Sequence, residues 1–516
     1  MCGIAGSCPA RPDFVTRAVT EVRRRGPDSS GTARTAAGML GVARLSITDH
    51  VHGDQPISNR TGDLHIVFNG AIYNADDLIA THRLEVESGN DAEVALALFE
   101  RLGCSFTDQI DGMYAFIILG EREGRFWYGV DELGIKPLYS AKDGDTSLYL
   151  ASTAQALGST LLSRAERVTP GTVQSASGLE HETVNRAPVT NWRNDLATSV
   201  RSQIPKEVAW GCLLSGGLDS SVLVTLARGF ARRPLRTLSC GLPMSVDVLH
   251  ARRVADHLET EHHERLLDPD EIPNLVREVI DATGSFEPWL VLGGIGTLAV
   301  CQEASRLGLK VLLSGEGADE LFAGYADFDE TPADQLEAQL RAQQLQLGAT
   351  ECLRLDRCSM HAGVEVRVPY LSRRVVNAVR RLPVSEKRDL PGSRDSTTKV
   401  ALRRHARALG LPEWVASRAK EGFSTGTGVL PVVHEAALSE RNLWAASRYR
   451  ARFAAPGLDM NSPVGAWLLG LWLERFGDSF GADWDSLACR GLVRNSSSSA
   501  GSTPRQVQPA DPPAPR

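Results

Sequence analysis

The chain has 516 residues, a net charge of −7 and a hydrophobic content of 42%, values typical of a globular protein with two or three domains. The Lys and Arg residues form no extended cluster, so no nucleic-acid partner is expected. No apolar run reaches the roughly 18 residues of a membrane span, and the N-terminus has no secretory pattern. Nine scattered cysteines without CxxC pairs argue against a disulfide framework or a structural zinc site, and predict a cytoplasmic location.

The first 155 residues predict short strands separated by Gly, Asn and Asp turns. One helix is predicted at DAEVALALFERLG (91–103), where apolar residues recur at helical spacing and a glycine ends the pattern. Strands are predicted at GMLGVARLSI (38–47), LHIVFNG (64–70), YAFIILG (114–120), RFWYGVD (125–131) and SLYLAS (147–152). Many strands with few helices indicate packed antiparallel sheets in an α+β arrangement.

From about residue 195 predicted strands alternate with predicted helices. The strand VAWGCLLS (208–215) leads into the helical SVLVTLARGFARR (221–233), a strand follows at LRTLSCGL (235–242), and the stretch 306–325 repeats the order. Such alternation predicts a parallel sheet whose ligands bind at the carboxyl ends of the strands. Further helices are predicted at 330–350 and 396–410, and the Ser/Pro-rich stretch 490–516 is predicted to be a disordered tail.

The sharpest motif is LLSGGLDSS (213–221), which joins a predicted strand to a predicted helix. Adjacent glycines at such a turn let backbone N–H groups face outward, and the helix N-terminus adds positive charge, so the loop forms an anion cradle. It is not the common P-loop, which requires a lysine that this loop lacks. Hydroxyls of Ser215, Ser220 and Ser221 can donate further hydrogen bonds, and Asp219 is placed to hold magnesium between phosphates. A tight turn capped by aspartate is the structural alternative.

A second loop, SGEGADELFAGY (314–325), follows a strand in the same way and carries Glu316, Asp319 and Glu320. Because parallel strands end at one edge of a sheet, Asp319 is expected to meet Asp219 there and to share a magnesium ion with it, since hard cations prefer oxygen ligands. The alternative is an acidic helix start, which the helix dipole favours without any ligand.

Short segments of the N-terminal part form an ordered series: MCGIAG (1–6), RRRGPDSSG (23–31), ARLSITD (43–49), QPISN (55–59), FNGAIYN (68–74), SGNDAEV (88–94), DGMYAF (111–116) and DELGIKPLY (131–139). This series resembles a class II glutamine amidotransferase domain. The SGGLDSS loop is similar to the SGGxDS signature of ATP pyrophosphatases, which release pyrophosphate and leave an adenylate on an oxygen. Joined over roughly residues 2–430, the two parts resemble the glutamine-hydrolysing asparagine synthetase family.

The resemblance implies an α+β and α/β protein of two domains. An amidotransferase domain at 2–160 would be an Ntn-hydrolase-like αββα sandwich, 161–194 would be a linker, and 195–485 would be a parallel-sheet ATP-pyrophosphatase domain of the adenine nucleotide alpha hydrolase-like type. A homodimer is compatible with this family. Glutamine, ATP with Mg2+, and aspartate or another carboxylic acid would be its small-molecule ligands, and no membrane partner is expected.

In the amidotransferase domain, the resemblance implies that Met1 is removed and that Cys2 attacks the glutamine side-chain amide. The freed α-amino group, with an ordinary pKa of about 7.7–8.0, can take the thiol proton. The amide of Asn69 and the backbone N–H of Gly70 would form the oxyanion hole. Arg44 would pair with the glutamine α-carboxylate and Asp91 with its α-ammonium.

In the synthetase domain, the resemblance implies that ATP is attacked by the acceptor carboxylate and that ammonia then displaces AMP. Lys420 would neutralise phosphate charge, and Glu316 would help to deprotonate ammonia. The charged residues Asp356, Arg357, Glu365 and Arg367 would shape the acceptor end of the cleft, with buried ion pairs as the alternative. Ser424, Gly426 and Gly428 would belong to a phosphate-facing loop. The expected ATP site comprises Leu213, Ser215, Gly216, Gly217, Asp219, Ser220, Ser239, Cys240, Gly241, Ser314, Gly315, Lys399 and Lys420.

The chain departs from the family pattern at several places. Ala71 stands where the family has a glutamate of the glutamine site, so Asp91 would be the main ammonium partner, and Ala323 stands for a glycine. The segment GSFEPWLVLGG (284–294) is also altered, which leaves open an acceptor acid other than aspartate. A glutamine- or nucleotide-sensing protein without catalysis is the third hypothesis, and the presence of Cys2, Asp219 and Lys420 argues against it.

Overall fold

The computed structural model describes residues 2–121, 124–144, 147–186, 188, 190–231, 233–328, 331–389, 398–439 and 462–477. The predicted tail at 490–516 and the last residues of the predicted synthetase domain, 478–485, lie outside the described residues. The described part consists of an antiparallel N-terminal half and a parallel C-terminal half, as the sequence predicts.

The N-terminal half contains two six-stranded antiparallel sheets. Its strands are β1 (Cys2–Cys8), β2 (Ser29–Arg34), β3 (Met39–Arg44), β4 (Ile57–Ser58), β5 (Leu64–Ile72), β6 (Gly112–Gly120), β7 (Arg125–Val130), β8 (Tyr139–Asp143), β9 (Ser147–Ala151), β10 (Glu166–Arg167), β11 (Thr172–Ser175) and β12 (Gly178–Glu182). One sheet has the order β10-β8-β9-β1-β3-β2 and the other β12-β11-β7-β6-β5-β4. Its helices are α1 (Pro12–Glu21), α2 (Ala75–His82), α3 (Asp91–Leu102), α4 (Ala154–Leu157) and α5 (Ser159–Leu162).

Strand β6 shows why these sheets are buried on both faces. Its residues alternate between two cores, as successive side chains of a strand must. Ala115 and Ile117 pack between the sheets with Cys2, whereas Phe116 and Ile118 pack against α3. Helix α1 covers the outer face of the first sheet. The layers are therefore α-β-β-α, and the near-continuous apolar runs of the sequence reflect burial from both sides.

The C-terminal half is built on a five-stranded parallel sheet in the order β15-β14-β13-β16-β17. Its strands are β13 (Trp210–Leu213), β14 (Arg236–Gly241), β15 (Glu261–Leu266), β16 (Val311–Leu313) and β17 (Glu365–Arg367). Chain order runs outward in both directions from β13, so the crevice between the carboxyl ends of β13 and β16 is the topological switch point, where open α/β sheets bind ligands.

Helices surround this sheet and fill the rest of the C-terminal half. They are α6 (Trp192–Ser202), α7 (Leu218–Arg228), α8 (Val246–Leu258), α9 (Ile272–Thr283), α10 (Pro288–Arg306), α11 (Ala318–Phe322), α12 (Ala333–Gln346), α13 (Glu351–His361), α14 (Arg373–Arg380), α15 (Val384–Lys387), α16 (Val400–Ala408), α17 (Glu413–Ala416), α18 (Phe423–Gly426), α19 (Val429–Ala437) and α20 (Pro463–Phe476). Short 3-10 turns lie at Arg23–Arg25, Gly103–Asp108, Pro269–Glu271, Ala326–Phe328, Leu347–Ala349 and Pro369–Leu371. Within the described ranges no single helix is long and apolar enough to cross a membrane; only the pair Pro269–Thr283 and Pro288–Arg306, bent by 107°, qualifies by length and composition when the two are combined.

One segment differs from the sequence-based expectations. The segment 161–194, predicted to be a linker, contributes β10, β11 and β12 to the antiparallel sheets, so the N-terminal half continues to Glu182. These strands escape prediction because they are short and carry mostly polar side chains. Ala323, where the resemblance implies a glycine, ends α11 with a φ of 55°, a left-handed conformation that costs a non-glycine residue roughly 1–2 kcal/mol.

A buried ionic contact joins the two halves. Asp356 on α13 accepts hydrogen bonds from both guanidinium ends of Arg25, at 2.8 and 3.0 Å, and from Lys136 Nζ at 3.2 Å. Next to it, the Arg357 guanidinium lies 5.3 Å from the ring centre of Tyr139. Asp356 and Arg357 therefore form contacts between the two halves and do not shape the acceptor end of a cleft. Of the two interpretations that the sequence leaves open, the structure agrees with buried ion pairs.

Candidate active site

A large cavity of about 370 Å³ lies at the crevice between β13 and β16. Both motif loops form its walls, as their positions after parallel strands predict. The cavity is lined by these residues of the expected sites: Leu213, Ser215, Gly217, Asp219, Ser220, Ser239, Cys240, Ser314, Gly315, Glu316, Asp319, Lys399, Lys420 and Ser424. Four glycines of the same predicted sets are not among its lining residues: Gly216, Gly241, Gly426 and Gly428.

The first loop has the backbone geometry that its glycines suggest. Gly216 has a φ of +68°, and a Cβ there would lie 2.4 Å from the backbone of His250 on α8. The hydroxyls of Ser220 and Ser221 donate to the carbonyl of Gly217, at 3.2 and 2.7 Å. Because α7 begins at the cavity wall, its first N–H groups favour an anion there.

The two predicted magnesium ligands are brought together, with a lysine between them. Lys399 Nζ lies 2.5 Å from Asp219 Oδ2 and 2.6 Å from Asp319 Oδ1, and Lys420 Nζ lies 2.7 Å from Asp319 Oδ2. Burial opposes ionisation of Asp319, but the two ammonium groups prevail and lower its pKa to about 2. Asp319 is therefore ionised at neutral pH, held between the two lysines.

One carboxylate oxygen of this cluster of two aspartates and two lysines is available to bind a divalent cation. Asp219 Oδ1 is buried and accepts no hydrogen bond from any residue that the structure describes. The described residues contain no group of three His, Cys, Asp or Glu arranged around one point. Two carboxylates suit Mg2+, which commonly takes one or two protein carboxylates and completes its shell with phosphate and water oxygens.

The other end of the large cavity is formed by a buried arginine that sequence reasoning did not single out. Arg354 donates to Thr297 Oγ1 at 2.7 Å, to Glu316 Oε2 at 3.2 Å and through Nε to Glu351 Oε2 at 3.0 Å. Burial raises the pKa of Glu316, although Arg354 opposes the shift. This end of the cavity thus offers a guanidinium and two carboxylates, a set able to recognise a zwitterion.

Helix α10 makes room for this arginine. A Cβ at Gly293 would lie 2.9 Å from Arg354 Cδ, and one at Gly296 would lie 2.8 Å from Phe423 Cε1. The glycines in this part of the chain are therefore positions of close approach. They are the sequence signal that could have pointed to Arg354.

A small cavity of about 30 Å³ lies at the start of β1 and brings together Cys2, Arg44, Gly70 and Asp91. The backbone N–H of Cys2 donates to Asn69 Oδ1 at 2.9 Å. The other end of that amide, Asn69 Nδ2, is fully buried and donates to no described residue. An unpaired buried donor beside a thiol is costly unless another group accepts from it, so Asn69 is suited to a developing oxyanion.

The titratable groups of the small cavity are strongly affected by burial. Burial raises the pKa of the Cys2 thiol, with Arg44 among the groups that oppose the shift. Burial also raises the pKa of Asp91 to about 7, against the opposing charge of Arg367. The thiol therefore needs a base to react at neutral pH, and Asp91 changes charge in the physiological range.

Arg44 is held more firmly than the sequence suggests. Its Nη1 donates to Asp54 Oδ1 at 2.9 Å, and its Nη2 donates to the carbonyls of Thr48 and Asp49 at 3.1 and 2.6 Å. These contacts fix the guanidinium plane at the cavity wall.

Two residues of the small cavity come from the other half of the chain. Glu365 and Arg367, at the ends of β17, line it together with Cys2 and Asp91. Both are buried, and they form an ion pair with each other. The expectation that they shape the acceptor end of the large cavity is therefore wrong, because β17 is the edge strand that faces the N-terminal half.

Comparisons with known proteins cover nearly the whole described chain. The Glutamine amidotransferase domain model matches residues 1–186, and the Asparagine synthase model matches residues 191–346 and 331–454. Asparagine synthetase B [glutamine-hydrolyzing] of Escherichia coli (strain K12) is 32% identical over 462 residues, which are 83% of each chain. Asparagine synthetase [glutamine-hydrolyzing] of Zea mays is 32% identical over 435 residues, 79% of this chain and 74% of its own.

Solved structures are similar at a lower level, as one example shows. Glutamine phosphoribosylpyrophosphate amidotransferase from B. subtilis, complexed with ADP and GMP, has 17% sequence identity and a TM-score of 0.31, covering 51% of this chain and 81% of its own.

Proposed function

Since the chain belongs to the asparagine synthase family and carries a glutamine amidotransferase domain in front, we propose that it forms asparagine from aspartate, ATP and glutamine. The observation that carries the proposal is the pair of cavities. One holds a buried thiol beside an unpaired amide donor, and the other holds Asp219, Asp319 and two lysines at a loop built for phosphate. An ammonia-producing site and a carboxylate-activating site are the two parts that this reaction needs.

In the small cavity, Cys2 would act as nucleophile once Met1 is removed. The backbone nitrogen that now donates to Asn69 would become an α-amino group, which at neutral pH takes the thiol proton. The thiolate attacks the glutamine amide carbon, and Asn69 Nδ2 and the Gly70 N–H stabilise the oxyanion. The protonated α-amino group then returns its proton to the amide nitrogen, which leaves as ammonia and forms the thioester. Water then hydrolyses the thioester to glutamate. Asp91 and Arg44 would hold the two charged groups of the amino acid.

In the large cavity, the aspartate side-chain carboxylate would attack the α-phosphorus of ATP and release pyrophosphate. The carboxylate alone is a poor electrophile, and adenylation supplies AMP as a leaving group. Lys420 and Lys399 would neutralise phosphate charge. Ammonia from the small cavity attacks the acyl carbon, Glu316 takes a proton from the incoming nitrogen, and AMP departs.

Asp219 and Asp319 would hold Mg2+, which when bound neutralises phosphate charge and orients the pyrophosphate.

The part of the large cavity around Arg354 supports an amino-acid substrate. Arg354 would bind the α-carboxylate of aspartate, and Glu351 would bind its α-ammonium. The two side chains already form a hydrogen bond with each other, so both lie at the same place in the cavity.

The eight described cysteines are free thiols, in keeping with the cytoplasmic location that we propose. A homodimer stays a prediction.

The proposed division of labour is tested with Cys2→Ala. Glutamine-dependent formation of AMP and asparagine should fall by at least roughly 10³-fold, the scale on which losing a catalytic nucleophile acts. Synthesis from ammonium chloride should be unchanged, because the large cavity is intact. Mass spectrometry of AMP, glutamate and amide products, with a panel of carboxylic acids, measures both. The matched control Cys8→Ala should retain both reactions, since Cys8 lies outside the small cavity.

Two results would contradict this proposal. Loss of both reactions in Cys2→Ala would show that the halves do not act separately. An AMP-forming wild-type protein that ignores aspartate but amidates another acid of the panel would retain the chemistry and replace the acceptor.

Glutamine binding should depend on pH through Asp91, whose pKa is about 7. Above that value the carboxylate is charged and attracts the α-ammonium of glutamine, and below it the attraction is lost. The KM for glutamine should therefore rise about tenfold from pH 8 to pH 6, following the ionised fraction. Initial rates of glutamate release measure it. Asp91→Asn should flatten this dependence at a high KM, whereas the exposed Asp77→Asn should keep it; a pH-independent wild-type KM would refute the assignment.

A further inference from the structure

A third cavity, separate from the other two, lies between the two halves of the protein. We call it the interdomain cavity; its volume is about 200 Å³. The N-terminal half contributes Tyr114 and Glu132, the C-terminal half contributes Arg373 and Arg380 on α14, and Glu182 and the exposed Leu345 lie at its mouth. Nothing in the proposed reaction uses this space.

Two buried polar groups on its wall lack partners. Tyr114 is 1% exposed and Arg373 is 8% exposed, yet the Tyr114 hydroxyl and Arg373 Nη2 make no hydrogen bond to the described residues. Each such group costs free energy until something polar reaches it. Arg373 uses its other nitrogens on the carbonyl of Asp108, at 2.9 Å, and on Glu132, at 3.3 Å.

The charges around the cavity are only partly compensated. Burial raises the pKa of Glu132, with Arg373 opposing the shift, and burial lowers the pKa of Arg380, with Glu132 opposing it. Arg380 donates through Nε to an uncharged partner, Gln344 Oε1, at 2.8 Å. The cavity is therefore lined by two arginines, Arg373 and Arg380, and by the glutamates Glu132, which pairs with Arg373, and Glu182, with apolar wall residues such as Val376.

Size and charge together restrict the ligand. An apolar cavity of about 150 Å³ accommodates benzene, so about 200 Å³ accommodates roughly six to ten non-hydrogen atoms. From this geometry we infer that the interdomain cavity binds a small α-amino acid, its carboxylate on Arg373 and Arg380, its ammonium toward Glu132 and Glu182, and a polar atom on the Tyr114 hydroxyl. This site is additional to the two reaction sites and does not depend on the proposed reaction.

The wall of the interdomain cavity leads toward the large cavity. Leu371 lines the interdomain cavity and also packs closely against Gly317 of the second motif loop. A Cβ placed on Gly317 would lie only 2.3 Å from Leu371 Cδ2. The neighbouring Tyr370 donates its hydroxyl to the carbonyl of Asp219 at 3.1 Å. An amino acid in the interdomain cavity would thus contact a segment that supports both motif loops.

Calorimetric titration of the full chain without ATP tests the inference. L-aspartate, L-asparagine and L-glutamate are the probes, with succinate and inorganic phosphate as comparison anions. At least one amino acid should bind with a Kd that rises tenfold or more in Arg380→Met and severalfold in Tyr114→Phe. The control Arg374→Met, an exposed arginine on the same helix, should leave the Kd unchanged. Tyr114→Phe removes only an unpaired hydroxyl, so it keeps the fold even if Arg380→Met does not.

Three outcomes would overturn the inference. An identical Kd in the wild type and all three variants would place the probe in a reaction site. Binding of succinate or phosphate alone, sensitive to Arg380, would refute the amino-acid class. No binding by any probe would mean that the cavity holds water only. AMP formation is measured separately from this titration. Absence of amino-acid binding in the interdomain cavity would therefore not contradict the proposed function, and absence of AMP formation would not contradict the binding result.

Discussion

Replacing Asp356 with alanine is expected to lower the free energy of unfolding by about 3–5 kcal/mol, because it leaves buried cations without their counter-charge. Arg25 and Lys136 both donate to this carboxylate, and the side chains of all three are at most 5% exposed. Arg25 Nε also lies 3.4 Å from the carbonyl of Cys2, so disorder at this contact would extend to the nucleophile. Urea denaturation measures the stability loss, and the ratio of glutamate to asparagine formed measures uncoupling between the halves.

The control for this prediction is Asp143→Ala, which removes the carboxylate of an exposed ion pair with Arg164. Such surface pairs contribute about 0–1 kcal/mol, so the urea concentration at the midpoint of unfolding should change little. Equal losses in Asp356→Ala and Asp143→Ala would show that the interdomain contact is no stronger than a surface pair.

Lys399→Met should destabilise the ligand-free protein by about 3–5 kcal/mol and make its stability depend on magnesium. The side chain of Lys399 is 3% exposed and lies between two carboxylates. Without it, Asp219 and Asp319 repel each other, and Lys420 neutralises only one of them. A divalent cation can replace the missing charge, so Mg-ATP should raise the melting temperature of the variant more than that of the wild type.

Differential scanning calorimetry with and without Mg-ATP measures this effect. Lys206→Met is the control, because Lys206 pairs with Asp76 while 82% exposed, and both melting temperatures should match those of the wild type. If Mg-ATP stabilises Lys399→Met no more than the wild type, the two aspartates do not form a cation site.

The sequence predicts the parallel sheet and its two loops well, because the motifs depend on local strand–turn–helix order. Asp219 and Asp319 therefore meet as expected once β13 and β16 pair. The sequence predicts Lys399 at the ATP site but does not predict that it bridges the two aspartates. It follows the first aspartate by 180 residues, and no periodicity relates positions so far apart.

Contacts between the halves are the part that sequence reasoning could not supply. Glu365 and Arg367 have the same residue types whether they serve the acceptor end or the small cavity, and only the docking of β17 decides between them. Arg354 escaped notice because a charged residue within a helix usually lies on its solvated face. The strands at 166–182 were missed because pairing with the sheets, rather than an apolar pattern, stabilises them.

The position of β17 bears on whether the halves can be separated or exchanged. A chain cut after residue 186 would lose two lining residues of the small cavity, Glu365 and Arg367. It would also expose Arg25 and Lys136, which would no longer pair with the carboxylate of Asp356. The glutamine-processing half is therefore not a freestanding module. Grafting it onto another ammonia-using enzyme would require the recipient to carry an equivalent of β17.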